Sequence, residues 1–234
     1  MEVSLLSSYQ AAPRFGHLEQ LLHIVAFLRK KPKLKLYFDP SLPRIDESMF
    51  EDNDREQFLN HYRGAKEEIP IKMPKPRGRP VQITAFVDAS HAPNKMDRRS
   101  YTGYVIFINR APIMWYSKRQ NTVESSAFSS EFIAMKTCVE SIIGFRFKLR
   151  MFGIPFHSPT NVLCDNQSVV NNSSRLESKL HKKHSSVAYN ATRWTVAVGM
   201  IGVGNVPGEE NIADAFTKRL PVAKRDYLFG NWTY

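Results

Sequence analysis

The sequence has little cysteine, no long apolar run and no internal repeat. Its 234 residues include two cysteines, Cys138 and Cys164, which do not have the spacing of a metal site. We therefore expect two buried thiols in a reducing compartment rather than a disulfide framework. No apolar stretch approaches the length that spans a membrane, and residues 1–10 lack the pattern of a signal peptide. A Gly-rich phosphate-binding loop is also missing, so the pattern of a nucleotide-binding P-loop is not met.

Acidic residues are scarcer than basic ones. The chain has 22 Asp and Glu against 33 Lys and Arg, which gives a formal net charge of +11. A positive balance of this size favours a polyanionic partner, and nucleic acid is the first candidate. A merely soluble basic protein is equally compatible with the composition, so the charge does not decide between the two.

Composition changes near residue 80. Residues 18–30 have the apolar spacing of a helix, and residues 34–38 are predicted to form a short strand. Residues 46–56 are acidic, whereas residues 69–80 contain four prolines and four basic residues. Because proline interrupts regular structure, we interpret residues 46–80 as a linker.

The chain after residue 80 has the pattern of an α/β domain. The predicted order is β-β-β-α-β-α-β-α, which indicates a mixed five-stranded sheet with flanking helices. The predicted strands are 81–88, 103–109, 111–117, 161–164 and 199–206, and the predicted helices are 124–152, 179–198 and 209–220.

Four acidic residues occupy special positions in this pattern. Asp88 and Asp165 each end a predicted strand, where a carboxylate can also begin a turn or cap a helix. Glu131 lies beside the apolar face of the long helix, although a solvated position is the simple alternative. Asp214 lies in the last helix between two alanines, which permit close approach of another element.

Taken together, the four acids predict a metal site. Parallel strands that end at one edge of a sheet bring their terminal acids together, and a helix over that edge adds another. Carboxylates this close repel each other unless cations lie between them, and all-oxygen ligation selects Mg²⁺ or Mn²⁺. Two such ions about 4 Å apart stabilise the attacking and leaving oxygens of phosphodiester cleavage.

The motifs around these acids resemble those of one family. The motifs are FVDASHAPNKMDRRSYTGYVIFINRAPIMWYSKRQ (86–120), SSEFIAM (129–135), VLCDNQSVV (162–170), KHSSVAYNATRW (183–194) and VPGEENIADAFTKRL (206–220). Their order resembles the ribonuclease H domain that follows the reverse transcriptase in copia-type retrotransposon polyproteins. Residues 4–40 also resemble the last helical part, thumb and connection, of that polymerase.

The resemblance implies a ribonuclease H-like fold that cleaves the RNA strand of an RNA–DNA hybrid. Its catalytic acids and ligands for two Mg²⁺ or Mn²⁺ ions carry over to Asp88, Glu131, Asp165 and Asp214. The implied partners are the hybrid and the rest of the reverse transcriptase polyprotein, without a membrane. The implied location is intracellular, in the cytoplasm, a virus-like particle or the nucleus. The expected domains are a polymerase-remnant segment (1–45), the linker (46–80), the ribonuclease H-like domain (81–220) and a tail (221–234).

The chain departs from the family in four places. It has no Tyr-x-Asp-Asp polymerase signature, and no histidine lies between Val206 and Asp214. Ser129 and Ser130 stand where relatives often have Glu-Ala, and Asn190 replaces a histidine. None of these changes removes one of the four acids.

Polar and basic residues near the expected site are candidates for hybrid binding. Phosphate contacts would dominate affinity, and contacts to 2′-hydroxyls would distinguish RNA from DNA. The simple alternative for each basic residue is a solvated surface. A catalytically silent binding or tether domain, or a transposase or integrase, are the competing functions. The candidates are Arg98, Arg99, Ser100, Thr102, Lys118, Arg119, Asn166, Gln167, Lys182, Lys183 and His184.

Overall fold

Five strands form one mixed sheet in the computed structural model, which describes residues 1–50, 55–93, 97–180 and 185–230. The strand order is β3-β2-β1-β4-β5. β1 pairs antiparallel with β2 and parallel with β4, while β4 pairs parallel with β5. The predicted α/β class and mixed five-stranded sheet are confirmed. The strands are β1 (Ile83–Ser90), β2 (Tyr101–Ile108), β3 (Ala111–Arg119), β4 (Thr160–Cys164) and β5 (Ile201–Asn205).

Helices flank the sheet and also precede it. The longest has 25 residues and runs across one face of the sheet. No helix in the described ranges is long and apolar enough to cross a membrane. The helices are α1 (Glu2–Ser7), α2 (Phe15–Lys30), α3 (Arg55–His61), α4 (Ala127–Met151), α5 (Gln167–Ser174), α6 (Ser186–Ala197), α7 (Asp214–Thr217) and α8 (Val222–Phe229).

Both faces of β1 are buried. Because side chains alternate along a strand, Ala85 and Val87 point to one face and Phe86 to the other. Ala85 and Val87 belong to the main core together with Phe132 and Met135 of α4. Phe86 instead packs in a smaller cluster around Val105 and Phe107 of β2. The sheet is therefore covered on both sides, and its strand ends remain the place where polar side chains can gather.

The parallel pairing of β1 and β4 sets the position of the two strand-terminal acids. Phe86 pairs with Leu163 across the two strands. Asp88 and Asp165 each lie two residues further along the chain. The two acids therefore lie side by side at the C-terminal ends of these parallel strands.

Three local predictions differ from the structure. Residues 34–38 contain a single bridge residue, Leu36, and their apolar side chains are exposed, so the alternating pattern does not produce a strand. The helix predicted at 179–198 is observed as the shorter α6, which begins only at Ser186. Residues 181–184 of that prediction lie outside the described residues. The last helix, predicted at 209–220, is only the four-residue α7.

The unpredicted helix α5 begins at Gln167, two residues after Asp165. The side chain of Asn166 caps it, since its Oδ1 accepts hydrogen bonds from the backbone N–H groups of Ser168 and Val169 at 3.1 and 3.3 Å. An N-cap of this kind satisfies amides that a helix start leaves unpaired. The eight-residue length of α5 is too short for a clear helical periodicity in the sequence.

The segment before the domain makes specific contacts with it. Phe50 forms a bridge with Gly204 of β5, and Phe58 of α3 is buried in the main core. Glu67 forms ion pairs with Arg146 and Arg150 of α4. The division of the chain near residue 80 stays a prediction, but residues 46–80 include anchors on the sheet and on α4.

We expect Glu67→Gln to lower the free energy of unfolding by about 2 kcal/mol. Arg146 is only 1% exposed, and the neutral amide of the variant would leave its guanidinium without a counter-charge. Breaking a buried ion pair costs about 3–5 kcal/mol. The expected loss is smaller because Thr160 and Ser158 still accept hydrogen bonds from Arg146. Urea unfolding monitored by circular dichroism measures it.

Glu68→Gln is the matched control, because Glu68 is the exposed neighbour of Glu67. Exposed substitutions of this kind change stability by less than about 0.5 kcal/mol. Equal unfolding midpoints for Glu67→Gln and Glu68→Gln would contradict the role of Glu67 as an anchor.

Candidate active site

Three carboxylates meet at the C-terminal ends of the neighbouring strands β1 and β4. Asp88 lies near the end of β1, Asp165 follows β4, and Glu131 lies in the second turn of α4. One carboxylate oxygen from each residue lies within 4.8 Å of the others. Asp88 is fully buried and Glu131 is 9% exposed. The sequence-based expectation that these three acids lie together agrees with this geometry.

The start of α4 directs Glu131 towards the C-terminal end of β1. Ser126 caps this helix, and its Oγ accepts a hydrogen bond from the backbone N–H of Ser129 at 3.2 Å. Glu131 follows two residues later, and its carboxylate accepts a hydrogen bond from the backbone N–H of Ala89 in β1. The helix cap and the strand therefore both fix the position of this carboxylate.

The three acids disturb one another's protonation. Burial raises the pKa of Glu131 to about 9, and the charges of Asp88 and Asp165 act in the same direction. Burial also raises the pKa of Asp88 to about 6, although the charge of Lys218 and a hydrogen bond from Thr217 oppose this rise. Carboxylates that are buried together in this way favour either a proton or a cation between them.

The chemistry of the three donors fits a hard divalent cation. All three side chains offer oxygen atoms, and no thiol or imidazole belongs to the group that the described residues form. Oxygen ligands suit Mg²⁺, Mn²⁺ and Ca²⁺ better than zinc or copper. The group could therefore hold a divalent metal ion.

Asp214, the fourth predicted acid, lies beside this group but has different partners. Its Oδ1 accepts a bond from Lys218 Nζ at 2.6 Å, and its Oδ2 accepts one from Lys224 Nζ at 2.6 Å. Lys218 Nζ also lies 3.4 Å from Asp88 Oδ1. Within the described ranges, Asp214 is not part of the three-acid group. Its role as a metal ligand stays a prediction.

The helix α7 packs closely against Gly103 of β2. Gly103 pairs with Asp88 across β1 and β2. A Cβ atom at this position would lie 2.6 Å from Thr217 Cγ2 and 2.8 Å from Phe216 Cβ. The hydroxyl of Ser117 donates to the backbone carbonyl of Phe216 at 2.6 Å, and the hydroxyl of Thr217 donates to the Asp88 carboxylate. Glycine therefore allows α7 to lie directly on the sheet next to the acids.

Three of the predicted hybrid-binding residues line one cleft. Thr102, Lys118 and Arg119 lie on β2 and β3 along a cleft of about 430 Å³, together with Gln120 and Lys136. Lys118 is exposed, whereas Arg119 is half-buried and forms an ion pair with Asp97 at 2.6 Å. Thr102 is buried, and its hydroxyl accepts a hydrogen bond from Gln120 at 3.0 Å. Lys118 is thus the member of this trio best placed to meet a phosphate from solvent.

The other predicted binding residues are distributed differently. Ser100 is fully buried, with its hydroxyl 2.8 Å from that of Ser130, so it is a structural neighbour of Glu131. Asn166 caps α5, whereas Arg98 and Gln167 are exposed, and Arg99 is half-buried. Lys182, Lys183 and His184 lie outside the described residues.

Sequence reasoning missed the two lysines and the threonine around Asp214. Lys218 follows Asp214 by four residues, a spacing that allows an ion pair on one helical face, so the sequence did contain a signal for it. Thr217 and Lys224 could not be recognised in the same way. Thr217 reaches Asp88 only after α7 docks on β2, and Lys224 lies on α8, a helix within the predicted tail 221–234.

Comparison with solved structures gives several likenesses at low sequence identity. LC11-RNase H1, isolated from compost, has a TM-score of 0.46 and 16% identity, covering 58% of this chain and 92% of that one. The prototype foamy virus protease–reverse transcriptase has a TM-score of 0.43 and 14% identity, covering 62% of this chain and 22% of that one. At these TM-scores the likenesses carry no conclusion about chemistry.

Comparison with curated proteins is more specific, although no family model matches the chain. The chain is 27% identical over 144 residues to the retrovirus-related Pol polyprotein from transposon RE1 of Arabidopsis thaliana. It is 30% identical over 140 residues to that from transposon TNT 1-94 of Nicotiana tabacum. These matches cover 62% and 59% of this chain but only 10% of each polyprotein. Over this stretch, the chain is a homologue of the retrovirus-related Pol polyproteins of copia-type transposons.

Proposed function

We propose that the chain is the ribonuclease H-like part of a Pol polyprotein and cleaves the RNA strand of RNA–DNA hybrids. The observation that carries this proposal is the close group of Asp88, Glu131 and Asp165 at the C-terminal ends of β1 and β4, in which Asp88 is fully buried. The homology to Pol polyproteins supports it, because such a polyprotein makes hybrids when it copies RNA into DNA. The rest of the polyprotein is the proposed covalent partner.

The proposed reaction is hydrolysis of a phosphodiester bond. Water oxygen bonds to phosphorus, the bond from phosphorus to the 3′-oxygen breaks, and the proton released by water ends on that oxygen. The products are a 5′-phosphate and a 3′-hydroxyl. Mg²⁺ or Mn²⁺, when bound, polarises the phosphate and lowers the pKa of attacking water.

The chain's own residues would bind the cation and the substrate. Asp88, Glu131 and Asp165 would hold the cation, and the hydrogen bond from the Ala89 N–H keeps Glu131 directed at it. Lys118 at the cleft would contact backbone phosphates, which provide affinity without sequence preference. The predicted polar contact of Thr102 to the RNA strand would require Gln120 to move, because that amide now donates to its hydroxyl.

Cleavage of end-labelled nucleic acids tests the proposal. The full chain is incubated with an RNA–DNA hybrid, single-stranded RNA or duplex DNA, in Mg²⁺ or in excess chelator. We expect cleavage of the hybrid RNA strand in Mg²⁺ alone, with 5′-phosphate ends. Equal cleavage of single-stranded RNA, or hybrid cleavage that persists in chelator, would contradict the proposal, and cleavage of duplex DNA would favour an integrase-type activity.

The two lysines on Asp214 favour a second candidate function. Both oxygens of this carboxylate already accept bonds from ammonium groups, so an inactive hybrid-binding or tether domain could retain the same geometry. That function predicts hybrid binding that is measurable by fluorescence anisotropy, with no cleavage in Mg²⁺ or Mn²⁺. The cleavage assay therefore separates the two candidates.

A further inference from the structure

We propose that the ammonium group of Lys218 takes the place of a second divalent cation, so that this site holds one metal ion rather than two. The inference rests on the metal site of the proposed function. It changes the expected number of ions, and it gives Asp214 the role of anchoring a lysine instead of ligating metal.

The contacts of Lys218 are those of a bridging cation. Its Nζ lies 2.6 Å from Asp214 Oδ1 and 3.4 Å from Asp88 Oδ1, and so joins the fourth acid to the three-acid group. The second oxygen of Asp214 is bound by Lys224 Nζ at 2.6 Å. Asp88 keeps a free lone pair for a metal ion, because each carboxylate oxygen can accept two partners.

Charge balance also favours a single ion. Asp88, Glu131, Asp165 and Asp214 would contribute four negative charges to a metal-bound site, and Lys218 and Lys224 contribute two positive ones. One divalent cation neutralises the negative charge that the two lysines leave uncompensated. A second divalent ion would give the site a net positive charge and would lie against the Lys218 ammonium, where like charges repel.

The backbone keeps Lys218 in this position. Its neighbour Thr217 donates a hydrogen bond to the Asp88 carboxylate, and α7 packs directly against Gly103 of β2. The Lys218 side chain is nevertheless 43% exposed. Its ammonium therefore also faces solvent, where it would add positive charge beside a bound substrate phosphate.

Counting bound Mn²⁺ tests the inference without measuring cleavage. Mn²⁺ is titrated into the full chain, and free Mn²⁺ is followed by electron paramagnetic resonance for the wild type, Lys218→Met, Lys224→Met and Lys136→Met. We expect one ion per chain in the wild type. We expect two in Lys218→Met, with the second bound at least tenfold more tightly than any second ion in the wild type.

The two other lysine variants are controls. Lys224→Met removes the same charge as Lys218→Met but leaves the Lys218 ammonium between Asp214 and Asp88, so it should keep one ion. Lys136 pairs with Glu140 on α4, and its variant should also keep one ion. Methionine retains most of the length of the lysine side chain without its charge, and circular dichroism checks folding. If Lys218→Met does not fold, Lys218→Gln replaces it, and the wild-type count remains decisive.

The alternative results have distinct meanings. Two ions of similar affinity in the wild type would overturn the inference, because Lys218 would then be displaced by metal, while the proposed function would stand. One ion in folded Lys218→Met would also overturn it. No bound Mn²⁺ in any protein would overturn both the inference and the metal-dependent function.

Discussion

Asp165→Asn is expected to reduce hybrid cleavage by at least about 100-fold without lowering the stability of the metal-free protein. Loss of residues that only support metal ligands typically costs about 10–100-fold in affinity or activity, so loss of a ligand should reach the upper end or exceed it. The substitution preserves side-chain size. It removes one negative charge and one anionic oxygen from the three-acid group.

The local structure does not need a charge at position 165. The cap of α5 is Asn166, so a structural capping role for Asp165 does not apply in this fold. The charge of Asp165 also raises the pKa of both Asp88 and Glu131, which means that it repels them. Removing that charge relieves repulsion, and we therefore expect equal or greater stability in chelator.

Adding Mg²⁺ should reverse this order of stability. A ligand at about tenfold excess over its Kd stabilises the folded state by about 1.4 kcal/mol. If Asp165→Asn weakens Mg²⁺ binding about tenfold, the gain falls to about 0.4 kcal/mol by the same relation. Thermal melts of both proteins in chelator and in Mg²⁺ measure the two gains.

Asp226→Asn is the matched control for this prediction. Asp226 is an exposed residue of α8 that pairs with Arg225, so its variant should keep the wild-type gain from Mg²⁺ and the wild-type cleavage rate. A metal-free Asp165→Asn protein that is destabilised but retains full Mg²⁺ stabilisation and cleavage would identify Asp165 as structural only.

The meeting of Asp88, Glu131 and Asp165 could be predicted from sequence because simple geometry governs it. Two of these acids lie near the C-terminal ends of parallel strands, and the third lies beside the apolar face of a helix that must cover the sheet. Such features follow from strand ends and helical periodicity. The same patterns predicted the five strands of the domain, which the structure confirms.

The surroundings of Asp214 could not be predicted because they depend on docking between distant elements. Lys224 approaches Asp214 from α8, and Thr217 reaches Asp88 because Gly103 admits α7. A sequence pattern predicts neither of these two contacts. The strand expected at 34–38 failed for a related reason, since alternation of apolar residues does not show which sheet edge is available to them.

The stability of the metal-free protein is expected to fall as the pH rises from about 5 to about 8, and Glu131→Gln should remove much of that fall. Glu131 has a pKa of about 9 in the folded protein against a usual value of 4.5. Between these values the folded state holds a proton that the unfolded state has lost. Stability therefore decreases with pH, by at most about 1.4 kcal/mol per unit for one proton. Asp88 contributes in the same direction between its usual pKa of 3.8 and about 6.

Glutamine at position 131 cannot ionise, so the variant should match the wild type near pH 5 and exceed its stability at pH 8 by about 2–3 kcal/mol. Urea unfolding in chelator at a series of pH values gives the two curves, and taking their difference cancels the groups that both proteins share. Glu140→Gln is the control, because Glu140 lies exposed on the same helix. Its curve should run parallel to that of the wild type. If the Glu131→Gln curve is also parallel, Glu131 is not held protonated by burial and by Asp88 and Asp165, and the close three-acid group is wrong.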